Sequence, residues 1–167
     1  MGALMILLGV PVLAGAFLLV EAGLEHMRAP RMLARAASTS MAMARAIAAV
    51  EFVIGVPSVA AVVFGTTALR WALAAQAMLY LAFAAHLLWR RYRGDTSDCG
   101  CNRMGTQVGP GGIARAVVLA LATLAATALY PAAALPGGGL AVLLVACAAV
   151  LAVLLYTLPA AVDGQAA

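Results

Sequence analysis

Two cysteines one residue apart, in Asp98-Cys99-Gly100-Cys101-Asn102-Arg103, are the residues best suited by type and spacing to do chemistry. They are two of only three cysteines in the 167-residue chain, and they fall in its longest polar interval. The thiolate is the reactive form of cysteine, and the nearby Arg93 and Arg103 favour it electrostatically. One intervening glycine gives the backbone the freedom that a small, strained disulfide ring needs, and strained disulfides are the labile ones suited to exchange. Thiol–disulfide chemistry is the leading reading. Its alternatives are a soft-metal site for Cu(I) or Hg(II), with Met104 as a further ligand, and a pair with no chemistry, in a non-catalytic scaffold of an oxidoreductase complex.

Glu51 is the second candidate. It falls well inside an apolar stretch, and at about 1.5 Å of rise per residue it reaches mid-membrane. A carboxyl there costs roughly 2.5–3.5 kcal/mol on insertion scales, so it is expected to face the interior of a helix bundle and to hold a partner. One role is to relay the protons that accompany thiol oxidation. The other is structural, a carboxyl hydrogen-bonded to Gln76 or to a backbone carbonyl. Glu21, Glu25, His26 and His86 are expected toward the same membrane face as the cysteines. Either histidine could act as base to a thiol or shuttle its proton. For any one of these groups, an interfacial residue that snorkels or pairs with Arg28 is the commoner outcome. Cys99, Cys101, Glu51 and His86 are thus the expected catalytic set. Cys147, alone in an apolar run, reads as a small buried hydrophobe.

The elements that must position these groups are membrane helices. Hydrophobic residues make up 66% of the chain and charged ones 10%, and the mean hydropathy is +1.07. Soluble domains run near half apolar and a quarter charged. The fold class expected is all-α, an integral membrane bundle with a four-helix core and a fifth C-terminal span. It forms a single membrane domain over residues 1–167, with spans at about 3–24, 42–65, 68–89, 113–135 and 140–162. The first run has no Lys or Arg before it and is long enough to span, so it reads as a membrane helix rather than a cleavable signal. Pro30 is an expected helix break; Met32 to Ala37 is too short to establish as an interfacial helix from sequence. Trp71 and Trp89 sit near the two ends of the third span, where aromatic rings settle at headgroups. The polar loop is expected over 90–112, with Gly109-Pro110-Gly111-Gly112 as a turn.

There is no lysine, and all ten positive residues are arginines. Arg28, Arg31, Arg35, Arg45, Arg90, Arg91, Arg93, Arg103 and Arg115 belong to one membrane face and only Arg70 to the other. A basic stripe for nucleic acid would need a polar fold around it, whereas this bias follows the positive-inside rule. It predicts a multi-pass protein of the inner or plasma membrane with Cys99 and Cys101 toward the cytoplasm. Thiols there are normally reduced, which suits a transient catalytic couple.

The order of these features resembles the MauE family of methylamine-utilisation membrane proteins, within the DoxX-like group. The resemblance rests on Gly23-Leu24-Glu25-His26-Met27-Arg28-Ala29-Pro30, on Val50-Glu51-Phe52-Val53-Ile54-Gly55-Val56-Pro57, and on Cys99-Gly100-Cys101, and it covers about Gly9 to Thr127. Here Asn102 and Arg103 stand where the family usually has Phe-Gly, and His26 stands where it usually has lysine. The resemblance implies a four-helix membrane core working with a thioredoxin-like partner in the maturation of a disulfide-containing protein. No cofactor is expected from the residues. A quinone is compatible with the spans, but no residue pattern marks a pocket for one.

Overall fold

A lipid-embedded backbone has no water to bond with, so each spanning segment must satisfy its own N–H and C=O groups, and helices do this. The computed structural model of the chain describes residues 2–64, 69–95, 108–129 and 139–163, and among these every regular element is a helix. The elements are α1 (Gly2–Arg28), α2 (Pro30–Ala36), α3 (Met41–Phe64), α4 (Leu69–Tyr92), α5 (Pro110–Ala128) and α6 (Gly139–Asp163). All except α2 are long and apolar enough to cross a membrane. The all-α membrane fold expected from composition is the fold observed.

Helix α1 is the centre of the bundle. It packs most extensively against α3 and also touches α5 and α6, while α4 packs chiefly on α5. Small residues allow the closest of these approaches. A Cβ on Gly23 would lie 2.8 Å from the Phe52 amide nitrogen, and one on Gly55 would lie 2.9 Å from the Val20 amide nitrogen. Ala44 and Ala48, one turn apart on α3, are fully buried, as small-xxx-small packing predicts. The core joins Val12, Leu13 and Leu19 of α1 to Val62, Leu73, Leu119 and Leu144 of the surrounding helices.

Some boundaries differ from those expected, for local reasons. Helix α1 runs on to Arg28 and stops ahead of Pro30, which becomes the first residue of α2. Proline suits that position because its missing N–H would have had no helical partner. The segment that was too short to assign is therefore a helix, resting against α3. The expected turn at Gly109-Pro110-Gly111-Gly112 is instead the start of α5, with Gly109 extended and Pro110 opening the helix. Gly111 and Gly112 are buried within that first turn. Helix α4 continues to Tyr92, so Arg90 and Arg91 are helical rather than part of a loop. Arg90 Nε donates to Asp95 Oδ2 at 2.8 Å, and the Arg93 guanidinium stacks 4.2 Å above the Trp89 ring. Cys99 and Cys101 lie outside the described residues.

Candidate functional site

The spanning helices alternate in direction, so the ends of α1, α4 and α6 and the starts of α3 and α5 share one face. Glu51 lies ten residues after Met41, about 15 Å from that face by helical rise. It is completely buried. Its partner is His26, whose Nδ1 is 2.6 Å from Glu51 Oε2. A carboxyl in a low-dielectric interior needs a hydrogen-bonded partner of this kind.

Two expectations are corrected here. Glu51 is bonded neither to Gln76 nor to a backbone carbonyl, because Gln76 turns to α1 and donates from Nε2 to the Val12 carbonyl at 3.0 Å. His26 does not snorkel at the interface. It is 6% exposed, because the close approach of α1 and α3 at Gly23 and Gly55 carries its ring onto Glu51.

The second carboxyl oxygen, Oε1, has no hydrogen-bond partner among the described residues, and neither does Gln76 Oε1. Glu51 lines a cavity of about 40 Å³ to which every spanning helix contributes, through residues that include Leu18 and Ala22, Tyr80 and Leu87, Gly112 and Arg115, and Tyr156. Tyr80 donates its hydroxyl to the Gly15 carbonyl at 2.7 Å. Arg115 Nη1 donates to the Leu155 carbonyl at 3.2 Å, and the Tyr156 hydroxyl donates to Glu25 Oε2 at 3.3 Å. Sequence reasoning did not single out Tyr156 or assign Arg115 to a site. Arg115 reads as one of many topology-setting arginines, and Tyr156 as one aromatic in a featureless span.

His86 is placed elsewhere. It is exposed on α4, with its ring centroid 6.2 Å from that of Trp89. It lines a separate groove with Leu33, Thr39, Ile47 and Phe83. The structure therefore joins Glu51 to His26 and leaves His86 on another surface. Cys147 is exposed on α6 rather than buried, as an apolar thiol can be where the surroundings are lipid.

Five spanning helices enclosing a buried acid–histidine pair define a multi-pass helical membrane protein. Over residues 3–131 the chain matches the family model described as methylamine utilisation protein MauE, and it belongs to that family. The match covers α1 to α5 and stops short of α6. No significant match was found among curated proteins or among solved structures.

Proposed function

We propose that this MauE-family protein is a membrane thiol–disulfide redox protein. A thiolate of a thioredoxin-like partner attacks the Cys99–Cys101 disulfide and forms a mixed disulfide, releasing one of the two sulfurs as a thiolate. The partner's second thiolate then resolves the mixed disulfide. The partner is left oxidised, Cys99 and Cys101 are left reduced, and two electrons have crossed between them; the reverse sequence runs from a reduced pair. The two protons that accompany full reduction need acceptors and donors on the protein, a role for Glu51 with His26 and, on the outer surface of α4, for His86. The exchange would serve the maturation of a disulfide-containing protein of the methylamine-utilisation type. The arginine bias supports a cytoplasmic location for the pair.

The observation that carries this reading is that α4 and α5, which bracket the Cys99-Gly100-Cys101 segment, line the same cavity as Glu51. Leu87 near the end of α4 packs with Val108 just ahead of α5, together with Phe83 and Ile113. The two anchors of the segment are thus packed together, with Leu87 and Gly112 lining the cavity that Glu51 also lines.

Trapping tests the reading. In a Cys147→Ser background, Cys101→Ser or Cys99→Ser is expected to accumulate a mixed disulfide with a thioredoxin-fold protein carrying a reactive dithiol. If both single variants retain full function in cells, the exchange reading fails. Labelling of Cys99 and Cys101 in intact cells by an impermeant maleimide would overturn the cytoplasmic assignment.

A further inference from the structure

We propose that the cavity beside Glu51 is a hydrated proton-exchange chamber, whose water trades protons with Glu51 and, through it, with His26. The chamber is defined by the geometry of the cavity and does not depend on the thiol chemistry.

Size comes first. A water needs roughly 10–15 Å³ of such volume and two to four polar partners. The cavity's 40 Å³ therefore has room for about three waters. An apolar cavity of this size would stay dry, but Glu51, Arg115, Tyr80 and Tyr156 are among the residues that line this one. Glu51 Oε1 is buried without a protein partner, and an unsatisfied buried acceptor costs about 1–3 kcal/mol, or more if charged. Water donating to Oε1 removes that cost. A guanidinium has five N–H donors, and Arg115 gives one to the Leu155 carbonyl, so it has donors to spare for water.

Depth gives the chamber a direction. Gly112 is the third residue of α5, close to the membrane face, whereas Glu51 and Tyr80 lie near mid-span. The cavity thus extends from the level where α5 begins down to the carboxyl, with Arg115 and Tyr156 between. Glu51 lines its inner wall, with Oε1 lacking a partner among the described residues while Oε2 holds His26 Nδ1. Exchange moves a proton between water and Oε1 and, across the short contact, between Oε2 and Nδ1; no other bond changes.

The chain has two histidines, so in a His86→Asn background ¹⁵N-histidine labelling reports on His26 alone. In lipid nanodiscs its ring N–H is expected to exchange readily with water. Gly112→Val narrows the cavity, and among the described residues a Cβ at Gly112 would meet Leu87 Cδ1 alone, at an ordinary 3.8 Å. Ala22→Val narrows it from α1. Each variant is expected to slow exchange by about tenfold or more, as added protection. Unchanged exchange in both folded variants, or a wild-type His26 proton protected for hours, overturns the proposal. The unaltered chain gives a second reading through the infrared difference between wild type and Glu51→Gln. The bands of the Glu51–His26 contact in that difference are expected to shift promptly on transfer to D₂O, as the proton on the contact exchanges, and bands that do not shift overturn the proposal. Neither measurement involves Cys99 or Cys101, so failure of disulfide trapping and failure of the chamber are separate results.

Discussion

His26 Nδ1 stands 2.6 Å from Glu51 Oε2, joining the last turn of one membrane helix to the middle of another. The contact bridges residues 25 apart in sequence. It fixes the register of α1 on α3 and accounts for a carboxyl that would otherwise be buried alone.

Removing the imidazole is therefore costly. His26→Ala leaves Glu51 buried without its partner, and breaking a buried pair this way costs about 3–5 kcal/mol in soluble proteins. His26→Asn, whose amide nitrogen falls near the Nδ1 position, is expected to lose clearly less. Reversible unfolding in mixed micelles measures both. Equal losses would show that ring packing, rather than the hydrogen bond, stabilises the site.

The glycines of α3 make a sharper demand. A Cβ on Gly55 would sit 2.9 Å from the Val20 amide nitrogen and 3.1 Å from the Ala16 carbonyl oxygen, and backbone atoms cannot turn aside as a side chain can. Gly55→Ala is expected to cost about 1–3 kcal/mol, the usual range for overpacking. Gly139→Ala, where a Cβ meets nothing within 4 Å among the described residues, is expected to stay within about 0.5 kcal/mol of wild type. Comparing the two midpoints separates crowding from the intrinsic preference of helices for alanine.

Two polar ties between α4 and α1 should respond differently. Tyr80→Phe deletes the donor to the Gly15 carbonyl and should cost about 1 kcal/mol. Gln76→Leu deletes the donor to Val12, but it also removes an amide oxygen that is buried and unpaired. Its expected net change is therefore within about 1 kcal/mol of zero, because the two terms offset. A loss at Gln76 well beyond that at Tyr80 would mean that the amide oxygen is bonded to water.

The ion pair at the end of α4 is a weaker tie. Arg90 is buried, but its partner Asp95 is 41% exposed at the side chain. Asp95→Asn is expected to cost no more than about 1 kcal/mol, as for other solvent-reached pairs. The cost should shrink as salt is raised from low ionic strength. Unfolding midpoints at two salt concentrations check this.

By itself the sequence determined the class of the molecule. Mean hydropathy, the spacing of the polar intervals and the mid-span position of Glu51 sufficed for an all-helical membrane bundle and for a buried acid, because lipid leaves the backbone few choices. The family was legible for the same reason: its landmarks are local strings, such as Glu25-His26 ahead of Pro30 and Glu51 ahead of Pro57. Helix ends were less legible, since Gly109-Pro110-Gly111-Gly112 serves equally as a turn or as the opening of a helix. Only tertiary structure decided which group meets Glu51. Gln76 or a backbone carbonyl was the expected partner, and neither histidine could be placed against Glu51, because apolar periodicity says little about which face of a helix looks inward when lipid and protein core are equally apolar. The close approach of α1 and α3 at Gly23 and Gly55 brought His26 in. Gln76 bonds Val12 instead, His86 stays outside, and the five spanning helices wall a cavity at Glu51 that no local pattern could announce.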